Sequence, residues 1–320
     1  MISYIIPVLN EEESLLQLYD EIISNNPSNS YEIIFIDDGS RDKSAQIIAS
    51  ISEKDANVKL VSFRRNFGKA AALDIGFKLS SGEYIFTMDA DLQDYPSEIP
   101  IFLKKIEAGY DLVSGWKKKR NDPLYKTIPS KIFNYITAVT FKLKLNDFNC
   151  GYKLYRKEVV KELNIYGEMH RYIPVLANAL GFKVSEIPVN HRKRTYGKSK
   201  YGIERYLRGF FDLLTVKMVT QYARSPLYLF GRVGIISIIF GAVVTGYLAF
   251  MKILYGSPLS NRPLLLLGIL LLLAGLQFFS MGLISELIIN RSQAGKSKIS
   301  IRTVKNIDDD LLEVIRKSNS

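Results

Sequence analysis

Apolar and polar positions over the first two hundred residues read as strands alternating with helices. Ser3–Pro7, Glu32–Ile36, Lys59–Phe63 and Tyr84–Met88 are short apolar runs of the kind that form buried strands. Between them, Glu12 to Asn25 carries Leu15, Leu18, Tyr19 and Ile22 on one helical face. Further helices are expected at Lys43–Ser52, Lys69–Leu79 and Ile99–Ala108, then a strand at Leu112-Val113-Ser114 and an amphipathic helix at Ile132–Leu143. This repetition predicts an α/β domain whose mostly parallel sheet is covered on both faces.

The pattern changes after residue 202. Ile203, Tyr206, Leu207, Phe210, Phe211, Leu214 and Met218 recur at helical spacing among basic residues. They form either a helix packed on the preceding domain or one lying in a membrane interface, and the position just before an apolar span favours the second. Pro226–Leu254 and Pro263–Ile289 are apolar runs longer than the roughly 20 residues a bilayer-crossing helix needs. As buried core helices they would need a large soluble domain around them, and only about thirty residues follow. The connector holds Gly256, Pro258, Asn261 and Pro263, so a hairpin of two transmembrane helices is predicted. The expected organisation is an α/β domain at 1–202, a juxtamembrane helix region at 203–225, two spans within 226–289 and a tail at 290–320.

Charge orients this arrangement. Arg205, Arg208, Lys217 and Arg224 precede the first span, and Arg291, Lys296, Lys298, Arg302 and Lys305 follow the second, while the connector has only Arg262. The positive-inside rule then puts the N-terminal domain and the tail on the cytoplasmic side of the membrane. Met1 leads straight into a strand, so no signal peptide is expected. The single Cys150 excludes an intramolecular disulfide, in keeping with a reducing compartment. A net charge of +11 suits an anionic leaflet, and nothing in the chain has the form of a nucleic-acid module. Small residues at Ser237-Gly241 and Ala242-Gly246 permit close helix contacts, and a homo-oligomer is expected.

The chemistry concentrates at strand ends. Asp89-Ala90-Asp91-Leu92-Gln93 follows the fourth apolar run, Asp37-Asp38-Gly39-Ser40 the second, and Asn10-Glu11-Glu12 comes soon after the first. Open α/β sheets bind ligands at the carboxyl ends of their strands. Two carboxylates there suit a divalent cation held against a diphosphate, although Asp-rich strand ends also serve as plain turns. Arg64–Lys69 links a strand to a helix, as a basic loop or an anion-facing helix start. Asp147 is either a turn residue after a helix or a functional carboxylate. His191–Lys200 is either a solvated charge run or a clamp for a diphosphate or lipid head group. His170 and His191 lack nearby partners in sequence for a zinc site.

Taken in order, Pro7-Val8-Leu9-Asn10-Glu11, Asp37–Ser40, Asp89–Gln93, Asp147 ahead of Gly151-Tyr152-Lys153, and Arg194 with Gly197-Lys198-Ser199-Lys200 resemble a known family. They are similar to family 2 glycosyltransferases of the polyprenyl-phosphate branch, over Met1 to about Ile289. The resemblance implies a GT-A type, Rossmann-like domain with Pro7, Leu9, Glu11 and Asp38 around the nucleoside. It implies that Asp89, Asp91 and Gln93 hold Mg²⁺ or Mn²⁺ and the diphosphate. It also implies that Arg194 and Lys200 close over the phosphates, and that Asp147 stands on the acceptor side as a weak base or a positioning group, catalytic together with Asp91. The sequence departs from the family at Gly115-Trp116-Lys117, where Gly-Ser-Arg is usual, and at Gly151-Tyr152-Lys153, where Gly-Phe-Arg is. The implied reaction is inverting transfer of a hexose, glucose first, from a UDP-linked donor to undecaprenyl phosphate in the lipid bilayer. A processive polysaccharide synthase is disfavoured, since the only tryptophan, Trp116, is not in a Gln-x-x-Arg-Trp motif. A non-catalytic, sugar-nucleotide-binding membrane adaptor is disfavoured by the intact Asp89, Asp91 and Asp147.

Overall fold

The computed structural model describes residues 1–28, 30–118, 124–192, 204–222, 225–256 and 263–293. The chain divides into two compact units, Met1–Val216 and Lys217–Ser320.

In the first unit, β1 (Ile2–Val8), α1 (Leu15–Asn25), β2 (Tyr31–Asp37), α2 (Ser44–Lys54), β3 (Val58–Ser62), α3 (Lys69–Leu79) and β4 (Tyr84–Thr87) follow the predicted alternation. A 3₁₀ turn (Pro96–Glu98), α4 (Ile99–Glu107), β5 (Leu112–Lys117) and α5 (Leu124–Phe141) come next. Then come β6 (Lys153–Arg156), α6 (Lys157–Glu162), a 3₁₀ turn (Met169–Tyr172), α7 (Ile173–Ala179), β7 (Val184–Val189) and α8 (Glu204–Lys217). The seven strands form one sheet in the order β3-β2-β1-β4-β6-β5-β7. All neighbours are parallel except β6, which runs antiparallel to both β4 and β5.

Successive side chains of a strand face opposite sides of the sheet. Ile2, Tyr4, Ile6 and Val8 of β1 therefore join one core cluster with α1, α2 and α4, while Ile5 joins another with α3, α6 and α7. That is why β1 is apolar on both faces apart from Ser3, whose buried hydroxyl donates to Glu32 of β2 at 2.5 Å. The chain lays down β2 and β3 on one side of β1 and then crosses to place β4 on the other. This reversal is a topological switch point, where the carboxyl ends of β1 and β4 leave a crevice. The loops after β1 and β4, which carry the acids, open on that crevice.

α8 is not a free helix. Its Leu213 and Val216 are buried in the second core cluster, and the Tyr172 hydroxyl donates to the Gly209 carbonyl at 3.0 Å. One face is thus packed on the first unit, while Phe211 and Leu214 are exposed. α5 also presents an apolar stripe: Ile132, Tyr135, Ile136 and Val139, at i, i+3, i+4 and i+7, are all exposed.

The second unit is a pair of long helices, α9 (Leu227–Tyr255) and α10 (Pro263–Gln293). Both are long and apolar enough to cross a membrane, and little of either is buried. They meet at glycines: a Cβ on Gly234 would stand 2.7 Å from the Gly275 carbonyl, and one on Gly241 2.8 Å from that of Gly268. Gly241, expected at an intermolecular contact, is thus used within the hairpin, while Gly246 faces open space.

Candidate active site

Three loops build the crevice. After β1, the Asn10 amide donates to Ser40 Oγ at 2.9 Å and its side chain accepts from the Arg41 amide at 2.7 Å. The Glu11 amide donates to Ser44 Oγ at 3.0 Å. Pro7, Leu9 and Glu11 are thereby fixed beside the β2 loop. Asp38, at the end of β2, accepts from the amides of Phe67 at 2.7 Å and Gly68 at 3.0 Å, so it holds the basic loop before α3. Burial pushes the Asp38 carboxyl up, against those two bonds. Gly39 permits the same approach: at φ +73° its missing Cβ would fall 2.5 Å from the Arg65 backbone.

After β4, the acidic turn is tied down from several sides. Ser14, fully buried, donates to the Ala90 carbonyl at 2.6 Å. Leu92 takes a left-handed φ of +59° with its side chain buried, a conformation held only where the surroundings fix it. Asp91 is buried and accepts from the Gln93 amide at 3.3 Å. The Gln93 side chain donates to the Arg192 carbonyl at 3.2 Å, and the Arg192 amide returns a bond to Gln93 at 2.9 Å. Arg192 forks onto Glu21 at 2.8 and 2.9 Å and stacks 4.0 Å above Tyr95. The start of the basic segment is therefore anchored at the site, while Arg194 and Lys200 lie outside the described residues.

Asp89 has a side chain about one-third exposed and is paired with Lys69, the first residue of α3. Burial alone would raise its pKa, but Lys69, Lys117 and Lys153 outweigh it and hold the carboxyl well below the usual range. Gly151 makes room for it: a Cβ there would meet an Asp89 oxygen at 2.7 Å. Lys117 reaches the buried Asp94 at 3.3 Å. Burial raises the Asp94 carboxyl, and although burial opposes the charge on Lys117, Asp94 holds that ammonium's pKa above its ordinary value.

Asp147 is 1% exposed and accepts from the Asn149 amide at 3.1 Å, which makes it a turn-forming residue whatever else it does. Its own amide donates to Glu186 at 3.3 Å. Beneath Asp89 is a small cleft lined by Pro7, Lys69, Asn149, Lys153 and His170, among others. Burial lowers the Lys153 pKa, and it lowers that of His170 further with help from Lys69, so the imidazole is neutral at physiological pH. Sequence reading leaves Lys69 between a basic loop and an anion-facing helix start and sets His170 aside for want of a partner, and it does not find Ser14, Asn149 or the Lys117–Asp94 pair.

The residues present fit a hard divalent cation. Among the described residues no three His, Cys, Asp or Glu side chains converge, so a cage made by the protein alone is absent there. Mg²⁺ and Mn²⁺ sites that share substrate phosphates need only one or two carboxylates. An ionised, partly exposed Asp89 at the switch point, with Asp91 two residues on, meets that requirement.

The family model of glycosyl transferase family 2 matches residues 3–163. The chain is 34% identical over 296 residues to the dodecaprenyl-phosphate galacturonate synthase of Rhizobium johnstonii, covering 90% of this chain and 87% of that one. This protein belongs to glycosyltransferase family 2. It is also 36% identical to the undecaprenyl-phosphate 4-deoxy-4-formamido-L-arabinose transferase of Shewanella sediminis, over 90% of this chain and 86% of the relative. Its fold is like that of glucosyl-3-phosphoglycerate synthase from Mycobacterium tuberculosis, solved with Mn²⁺, uridine diphosphate and phosphoglyceric acid. That likeness has a TM-score of 0.53 at 16% identity and covers 69% of this chain and 78% of the other. The GT-A type sheet expected of a family 2 enzyme is the sheet observed.

Proposed function

We propose that this family 2 enzyme transfers a sugar from a nucleoside diphosphate to a polyprenyl phosphate, giving a lipid monophosphate sugar for cell-envelope glycosylation. The observation that carries this reading is the joining, in one chain, of switch-point carboxylates to two membrane-length helices. Relatives named as polyprenyl-phosphate sugar transferases align with about 90% of the chain. The acceptor is undecaprenyl phosphate, and the donor a UDP-linked hexose, with glucose the first to test.

In this reading Pro7, Leu9, Glu11 and Asp38 surround the nucleoside, and Arg194 and Lys200 bind the diphosphate from the segment that Arg192 anchors. Asp89 and Asp91, with Gln93 beside them, would hold Mg²⁺ or Mn²⁺, which when bound neutralises charge on the departing diphosphate. Lys69 supplies a fixed positive charge next to Asp89, and Gly151 leaves Asp89 room to face the ligand. The bond between the anomeric carbon and the β-phosphate oxygen breaks, and one forms from that carbon to the lipid phosphate oxygen, with inversion. An acceptor phosphate whose second pKa is near 6 is largely a dianion at neutral pH, so no strong base is required. Asp147 then positions the acceptor through the turn it forms at Asn149.

Membrane placement serves this chemistry by confining the acceptor to the plane where the site works. The α5 stripe, with Lys131 and Lys142 exposed at its edges, has the composition of a helix that rests on a bilayer surface. The test is release of nucleoside diphosphate by the purified full-length protein with Mg²⁺ and a panel of nucleotide sugars, with and without undecaprenyl phosphate. Release that requires the lipid supports the assignment. Equal release without lipid would reject it.

A further inference from the structure

The cleft beneath Asp89 is more specific than a general polar surface. Its volume is about 10 Å³, roughly the space of a single water-sized sphere. A sugar ring cannot enter it, but one oxygen atom can. Asn149, Lys153 and His170 line it, together with Lys69, Thr87 and Tyr155. Asn149 Oδ1 and His170 Nδ1 are buried without hydrogen-bond partners. The Lys153 side chain is buried on β6, and the hydrogen bond described for its ammonium goes to the Cys150 carbonyl, one of three it can donate. Buried groups left in this state cost stability unless a ligand or solvent completes them. Pro7 and Asp89, at the switch point, line the same cleft.

We propose that this cleft recognises a single hydroxyl group of the donor sugar and thereby sets which sugars the enzyme accepts. The inference rests on the transferase reading and deepens it. A hydroxyl both accepts and donates. It accepts from the Lys153 ammonium and donates to Asn149 Oδ1, while His170 Nδ1 takes whichever role its proton allows. A carboxylate has no hydrogen to donate to Asn149 Oδ1. A hydrogen or methyl at the same sugar position leaves Asn149 Oδ1 and His170 Nδ1 without partners. Sites built to bond a hydroxyl reject analogues that lack it far more strongly than apolar pockets reject a changed methylene.

The experiment uses full-length protein in detergent and calorimetric titration. A panel of UDP-, GDP- and dTDP-linked hexoses and hexuronates identifies the tightest donor, whose monodeoxy analogues are then titrated one ring position at a time. One analogue is expected to bind about ten- to a hundredfold more weakly than the parent, the others much less so. His170→Ala and Asn149→Ala should bind the parent and that analogue alike, with affinity for the free nucleotide diphosphate unchanged. Both residues lie outside the sheet strands, and an unchanged unfolding midpoint confirms the fold of each variant.

Equal losses at every deoxy position, or variants that weaken all donors by one factor, would overturn the inference and leave a water-filled structural pocket. So would a response confined to uronate donors. Position-specific loss without any lipid-dependent turnover keeps the subsite and rejects the proposed acceptor. Turnover with lipid but no position-specific loss does the reverse, and failure of every nucleotide sugar to bind overturns both.

Discussion

Gly151 has no side chain because the Asp89 carboxylate occupies the space one would need. The Gly151→Ala methyl group should push Asp89 aside. A displacement of about 1 Å at a reacting centre costs on the order of a hundredfold in rate. Steady-state kinetics should show that loss in kcat with only a small change in unfolding temperature. The Lys117–Asp94 pair makes a contrasting case. Asp94 is buried and Lys117, mostly covered, is its charge partner, so Lys117→Met strands a buried carboxylate at a cost of about 3–5 kcal/mol. Adding Asp94→Leu should restore most of the lost unfolding temperature, and a double variant no better than the single one would contradict the pairing. At this scale the sequence showed Asp89 and Asp91, because acids that end an apolar strand are visible as a pattern. It could not show that Lys117, standing where the family has Arg, turns to Asp94, because that depends on how β5 approaches the acidic turn.

Among the elements, strands β1 to β4 and helix α3 were legible because both of their faces, or one regular stripe, are apolar. β6 was not. Lys153-Leu154-Tyr155-Arg156 has only four residues, two of them charged, yet it lies between β4 and β5 and is nearly all buried. Its lysine is tolerated because the ammonium ends at the cleft rather than in the apolar core. Helix α8 was read as interfacial from its position, and the structure packs one of its faces onto the first unit through Leu213 and Val216. The α5 helix begins earlier than its periodicity suggests, at Leu124, and its exposed stripe was not distinguished from a core-facing one. Tyr135→Glu and Val139→Glu put charge on this stripe without touching the buried face. Each should raise the KM for undecaprenyl phosphate in liposomes several-fold, by the loss of buried apolar area. Nucleotide-sugar affinity should not change, and an unchanged lipid KM would remove α5 from the membrane surface.

For the whole molecule, the two long C-terminal helices were legible because each apolar run exceeds bilayer length and the connector between them is nearly free of charge. The extent of the first unit was less so, since its boundary at Val216 falls inside a continuous helix. The proposed orientation makes a direct prediction in a Cys150→Ser background. Ser257→Cys should react with an impermeant thiol reagent added to intact cells, and Ser297→Cys should not. The opposite pattern would place the nucleotide site on the wrong side of the membrane. The central claim is that switch-point carboxylates serve sugar transfer to a lipid phosphate, and the mass of the lipid product tests it most directly. Purified protein given undecaprenyl phosphate, Mg²⁺ and its preferred nucleotide sugar should yield a lipid carrying one sugar on one phosphate, with Asp89→Asn yielding almost none. A lipid gaining both sugar and phosphate, or one left unmodified by the wild-type protein under every donor, would contradict the account.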